Sequence, residues 1–314
     1  MTDKHPCDTA LMPQRNAPYT QTQASQPAVT LPAMPAPIVF AHANSYPAST
    51  YRVLFDIWRA AGHEVHALER FGHDPRYPVT MNWPHLVEQL RDFIEDEVRE
   101  PAWLVGHSLG GFLSLMCAAR HPQLGGHPVR GVLLLDSPVL GGWRARALEL
   151  AKRTQLVGSL SPGKVSRRRR NAWPDAQAAF DHFAHKRAFM RWDPAVLRDY
   201  IAHGTHDADT PHGRQRVLGF DRDVETAIYN TLPHNLDRLL RQHPLRCPVG
   251  FIGGTASAEM KQVGMAMTQR LVGREHPGRL QMIEGSHLFP MERPQETAAA
   301  IDAGLRALEN DRAT

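Results

Sequence analysis

The sequence predicts an α/β fold in which a mostly parallel sheet is flanked by helices. Two observations carry this. Short, continuous apolar runs of strand length recur along the chain and are separated by stretches of helical period, the pattern of βαβ units. One of these runs passes directly into a glycine-rich turn, Gly106-His107-Ser108-Leu109-Gly110-Gly111, and from there into a helix-forming segment. A third feature, a long block over residues 139–245 with no convincing strand, interrupts the alternation and reads as a helical insertion.

Ile38-Val39-Phe40-Ala41 is the first strand, preceded by Pro37 and ending at His42-Ala43-Asn44-Ser45. Apolar residues at Val53, Leu54, Ile57, Trp58 and Ala61 predict a helix within Ser49 to Gly62, which Gly62 can end. Glu64 to Leu68 is the next strand. An amphipathic helix over Trp83 to Glu100 follows, with Leu86, Leu90, Phe93, Ile94 and Val98 on one face. Ala102-Trp103-Leu104-Val105 is the strand before the glycine-rich turn, and Phe112 to Arg120 continues the helix after it. Gly131 to Leu135 is a continuous apolar strand ending at Asp136-Ser137-Pro138. Cys247 to Ile252 and Arg279 to Ile283 are the last two strands, each followed by a helical segment.

Composition narrows the function classes. In 314 residues, 36 Lys and Arg stand against 32 Asp and Glu, so the formal net charge of +4 gives no reason to expect a nucleic-acid partner. The charge is unevenly placed. Arg144 to Arg191 carries a local net of +9, which leaves −5 for the rest, and it contains Arg167-Arg168-Arg169-Arg170. Such blocks are commonly solvated faces; the functional reading is a phosphate or carboxylate on the substrate or an anionic membrane surface. Cys7, Cys117 and Cys247 are too few and too widely spaced for a disulfide framework or a zinc site, which points to a reducing compartment. Met1 to Asn16 lacks a signal-peptide layout, and no apolar run reaches membrane-spanning length, so stable membrane insertion is not expected and a cytoplasmic location is. Residues 1–34, rich in Pro, Gln, Thr and Ala, predict a flexible tail.

The turn at Gly106 to Gly111 fits G-x-S-x-G at a strand–helix junction, a geometry that lifts a serine hydroxyl above a sheet. With His42-Ala43-Asn44 and the late Gly285-Ser286-His287, the chain resembles α/β-hydrolase-fold enzymes of the serine type over roughly residues 36–308. The resemblance implies a core of residues 35–138 and 246–314 with a cap or lid at 139–245. It implies Ser108 as nucleophile and His287 as its base, in the family's order of nucleophile, acid, histidine.

The acid is less direct. The family usually places it after the strand at Val249 to Ile252, where this chain has Ser257, which cannot serve; Glu259 is near but opens the next helix. Some members carry it after the preceding core strand, where Asp136 stands. Asp136 is preferred, with Glu259 the alternative. Backbone amides of Leu109 and Asn44 are the expected oxyanion donors, with Ser45 possible; His42-Ala43 departs mildly from the family's His-Gly.

The reaction so implied is hydrolysis of a carboxylic ester or related acyl compound, without cofactor or metal, on a small-molecule substrate whose anionic character stays open. Acyl transfer, thioester or C–C cleavage on the same triad, and a non-catalytic binding protein of the same fold, are the competing readings. The family's two strands before residue 38 have no counterpart in the Pro-rich segment 26–37. A truncated sheet of about six core strands is therefore expected.

Overall fold

The protein is described here from a computed structural model covering residues 35–139, 166–273 and 275–310. The chain divides into two units, Met1–Ala33 and Met34–Thr314, and everything below concerns the second. The expected tail at 1–34 and Trp143 lie outside the described residues, as do Arg144 to Lys164 of the basic block.

In chain order the elements are β1 (Ile38–Ala41), a 3-10 turn (Ala48–Tyr51), α1 (Arg52–Ala60), β2 (Val65–Ala67), α2 (Pro84–Glu97), β3 (Trp103–His107) and α3 (Leu109–Arg120). A two-stranded ribbon, β4 (Gln123–Leu124) and β5 (His127–Pro128), precedes β6 (Gly131–Leu135). Then come β7 (Ala172–Trp173), α4 (Ala176–Ala184), α5 (Pro194–Gly204), β8 (Thr205–Thr210), β9 (Gly213–Leu218), α6 (Arg222–Asn230) and α7 (Leu236–Gln242). The chain closes with β10 (Val249–Gly254), α8 (Ala258–Val263), α9 (Ala266–Val272), β11 (Leu280–Ile283), α10 (Phe289–Glu292) and α11 (Pro294–Asn310).

Six strands form one sheet in the order β11-β10-β6-β3-β1-β2, every pairing parallel. Its four inner strands, β10, β6, β3 and β1, are buried on both sides, which is why they read as apolar runs. Alternation then sorts the side chains between two cores. Val39, Leu104, Val132, Leu134 and Phe251 face the layer of α2 and α3; Ile38, Phe40, Val105, Leu133 and Ile252 face the layer of α1 and α11.

The segment expected to be helical and strandless departs from that expectation. Residues 172–218 include a three-stranded antiparallel sheet in the order β7-β9-β8. Its two long strands were unreadable because Thr205 to Leu218 is polar, with side chains mostly exposed or half-buried, so no apolar period marks it. Trp173, Phe183, Phe189, Trp192 and Tyr200 form an aromatic cluster continuous with the α1 side of the core. Trp173 and Trp192 are therefore packing residues. At the far end of the segment, Ile228, Leu236 and Leu239 from α6 and α7 join the core of α2 and α3.

All six sheet strands run the same way, so their carboxyl ends share one edge. The loops after β1, β3, β6, β10 and β11 meet there, where open parallel sheets place their ligand sites.

Candidate active site

Ser108 sits between β3 and α3 with φ 53° and ψ −112°. A positive φ on a residue with a side chain costs on the order of 1–3 kcal/mol and persists only where the surroundings impose it. Here the ladder does so. The Ser108 N–H donates to the Leu135 carbonyl at 2.9 Å, and the Ser137 hydroxyl donates to the Ser108 carbonyl at 3.1 Å. The flanking glycines are required by contact. A Cβ on Gly106 would lie 2.3 Å from the Gly110 backbone, and one on Gly110 would lie 1.9 Å from the Ala41 carbonyl oxygen. Helix α3 thus rests directly on the ends of β1 and β3. Ser45 and Asp136, with φ of 77° and 42°, are also among the positive-φ residues.

Three side chains form one hydrogen-bonded line. His287, after β11, has its Nε2 3.0 Å from Ser108 Oγ and its Nδ1 2.7 Å from Asp136 Oδ2. A carboxylate only accepts, so Nδ1 carries the proton and Nε2 accepts from the serine hydroxyl. Asp136 is fully buried at the end of β6 and satisfied by three donors. Its Oδ1 accepts from the Gly254 N–H at 2.7 Å, and its Oδ2 accepts from the Ser257 hydroxyl at 2.5 Å as well as from His287. Ser257 occupies the place where the resemblance led us to look for an acid. It caps α8 by accepting from the Met260 N–H and turns its proton toward Asp136. Glu259, in the first turn of α8, is exposed and makes no bond to His287, although its carboxylate lies with the ligand atoms of Asp136 and His287 inside a 4.8 Å cluster. A cation held by those three would have to break the Asp136–His287 bond. His63 and His66, before and on the edge strand β2, are half-buried; His63 Nδ1 bonds the Ala36 carbonyl, and His66 contacts Glu64.

The loop after β1 faces this line. Ala43 to Tyr46 closes a turn through Tyr46 N–H to the Ala43 carbonyl at 3.2 Å. The Asn44 side chain is tied down, its Nδ2 donating to the Glu225 carbonyl of α6 at 3.1 Å. Leu109 is the first residue of α3, where backbone N–H groups have no acceptor within the helix.

Two buried histidines, His42 and His107, hold the site from behind. His42 donates from Nδ1 to the Ala43 carbonyl at 2.8 Å and accepts at Nε2 from the Phe71 N–H. Burial lowers its pKa to about 4. His107 is fully buried. Its Nε2 donates to the His287 carbonyl at 2.9 Å, and its Nδ1 accepts from the Tyr51 hydroxyl at 2.7 Å, which itself accepts from the Ala43 N–H at 3.2 Å. Desolvation pushes His107 well below the usual imidazole range, consistent with a neutral ring bonded on both sides. This chain links the loop after β1 to the turn carrying His287. Tyr51 was invisible in sequence because its partners are 8 and 56 residues away. A second brace comes from Glu292, which accepts from the Ser286 N–H at 3.1 Å and the Ser286 hydroxyl at 2.5 Å.

Residues 38–300 match the model of the alpha/beta hydrolase family. The chain belongs to that family. A 56-residue stretch, 18% of this chain, is 39% identical to the chloroplastic pheophytinase of Arabidopsis thaliana, but it covers only 11% of that protein's length. Among solved structures, an E-2-(acetamidomethylene)succinate hydrolase superposes with a TM-score of 0.60 at 21% identity, covering 87% of this chain and 91% of the other. An esterase of M. tuberculosis superposes with a TM-score of 0.60 at 20% identity, covering 86% of each chain. At such identities these likenesses establish the α/β-hydrolase fold. No helix among the described residues is long and apolar enough to cross a membrane.

Proposed function

We propose that this α/β-hydrolase cleaves a carboxylic ester or related acyl substrate through an acyl-enzyme formed on Ser108. The observation that carries this is the unbroken line Ser108 Oγ, His287, Asp136, with contacts of 3.0 and 2.7 Å. A serine hydroxyl is a poor nucleophile until a base takes its proton as it attacks. His287 Nε2 is that base. Asp136 keeps Nδ1 protonated and stabilises the imidazolium that forms, a role for which its three donors fix its orientation.

Attack forms the Ser108 Oγ–acyl carbon bond and places negative charge on the carbonyl oxygen, which the amide of Leu109 and the amide of Asn44 or Ser45 receive. Donors already fixed by α3 and the 43–46 turn need no reorganisation as charge develops, and each such donor contributes about 10²–10³ in rate. His287 returns the proton to the departing alcohol oxygen, then takes one from water as it attacks the acyl-enzyme. Collapse expels Ser108 Oγ, which regains its proton, and the carboxylic acid leaves. No metal or cofactor enters any step.

A fluorophosphonate probe tests the reading. We expect stoichiometric labelling of the wild type, with the adduct mapped to Ser108, and none of Ser108→Ala. A folded wild type that stays unlabelled would overturn catalysis and leave the binding-protein reading.

A further inference from the structure

The four-arginine run does not behave as a uniform solvated face. Arg167, Arg168 and Arg170 are exposed, whereas Arg169 turns inward with its side chain 15% exposed. Its Nε and Nη2, the two groups on one edge of the guanidinium, are buried and lack a hydrogen-bond partner. Glu225 stands beside it, 3.1 Å from Nη2 to Oε2 but out of hydrogen-bond alignment. Its Oε1 accepts from the Ser166 hydroxyl at 2.9 Å, and Oε2 is also unpartnered. The Tyr200 hydroxyl, beside the Arg169 guanidinium, and Asn44 Oδ1 are also buried without a well-aligned hydrogen bond. Buried polar atoms are rarely left so unless something else satisfies them.

The cluster adjoins the catalytic line. Asn44 donates to the Glu225 carbonyl, and the Tyr46 and Tyr200 rings pack with centroids 5.8 Å apart. Tyr46 closes the expected oxyanion loop, so its packing on Tyr200 joins that loop to the cluster. Burial, with the Arg169 charge adding to it, pushes the Lys186 ammonium below the usual lysine range.

We infer that Arg169, with Tyr200 and Tyr46 beside it, is a subsite for a carboxylate on the acyl substrate. The esters turned over at Ser108 would then be half-esters of dicarboxylic acids or similarly carboxylate-bearing acyl compounds. This rests on the serine-hydrolase reading above. A side-on guanidinium edge matches two carboxylate oxygens, and Glu225 holds that edge in place while contacting it off-axis.

The test compares p-nitrophenyl hydrogen glutarate with the same compound bearing a methylated free carboxylate. The wild type is expected to favour the free carboxylate by about tenfold or more in kcat/KM. In Arg169→Gln this ratio should fall toward one, and in Arg169→Lys it should lie between, because a point charge cannot replace the fork. A wild-type ratio at or below one, or a ratio unchanged in Arg169→Gln, overturns the subsite. Should Arg169→Gln not fold, Arg169→Lys and Tyr200→Phe decide the matter by the same ratio. Calorimetric titration of glutarate into Ser108→Ala reads the subsite without turnover, and binding is expected there and at least about tenfold weaker in Ser108→Ala/Arg169→Lys. No glutarate binding by folded Ser108→Ala counts against the subsite. Absence of fluorophosphonate labelling counts against the hydrolase reading alone.

Discussion

Asp136 is held by the Gly254 N–H, the Ser257 hydroxyl and His287 Nδ1, so every donor around it expects an acceptor. An amide at this position must aim N–H at one of them. Asp136→Asn should therefore lower kcat by on the order of 10³–10⁴ by turning the wrong tautomer of His287 toward Ser108. Glu259→Gln, which removes a charge but no bond to His287, should change kcat only severalfold. Steady-state kinetics on an activated ester measures both, and the reverse ranking would reassign the acid. His42 and His107 make a second prediction at this scale. Both are buried neutral, with folded pKa values depressed below the unfolded value, so the unfolded state binds more protons as pH falls through about 6.5. Stability should accordingly decline between about pH 6.5 and 4, by up to roughly 1.4 kcal/mol per pH unit for each histidine. Urea midpoints across that range measure it. His42→Asn should flatten the slope.

At the scale of elements, Tyr51 is the joint between the 3-10 turn, the loop after β1 and the end of β3. Tyr51→Phe leaves two buried groups unsatisfied, the Ala43 N–H and His107 Nδ1. We expect a loss of about 1–3 kcal/mol in unfolding free energy. Because His107 also holds the His287 carbonyl, kcat should fall more than KM changes, and a substitution that only loosens the core would not move that split. Sequence period located β1, β3, β6 and β10 well because each is buried on both faces. It missed β8 and β9, whose pairing in the register Thr205↔Leu218 to Thr210↔Gly213 is stabilised by backbone bonds between polar residues. It also joined the 3-10 turn at Ala48–Tyr51 to α1 as one helix, since a single turn leaves no periodic trace.

For the whole molecule, the formal charge divides into a strongly basic stretch at Arg144 to Arg191 and an acidic remainder. A substrate anion drawn to that stretch would lose attraction as salt screens it, over a Debye length of about 10 Å at 0.1 M ionic strength. The kcat/KM of the free-carboxylate ester should therefore fall severalfold between low and high salt, while that of the methylated ester changes little. An equal response of the two would place the basic stretch outside substrate capture.

What the sequence determined by itself is the part of the protein governed by local rules. The G-x-S-x-G turn names Ser108 because a strand running into a helix through such glycines has few other geometries, and here a Cβ on Gly110 would collide with Ala41. The apolar runs name the four inner strands of the parallel sheet because burial on both faces leaves no polar alternation there. The resemblance supplied the order of nucleophile, acid and histidine, with the acid left between Asp136 and Glu259.

Tertiary structure decided what depends on partners far apart in the chain. That Asp136 and not Glu259 bonds His287 is set by β6 lying between β3 and β10, a neighbour relation that no spacing encodes. The links from Tyr51 to His107 and from His107 to His287, and the inward turn of Arg169 toward Glu225 among three outward arginines, follow from packing across 56 to 180 residues of sequence separation. Hydrogen bonds and charge pairs of this kind act over a few ångströms. Only the fold brings their members within that range.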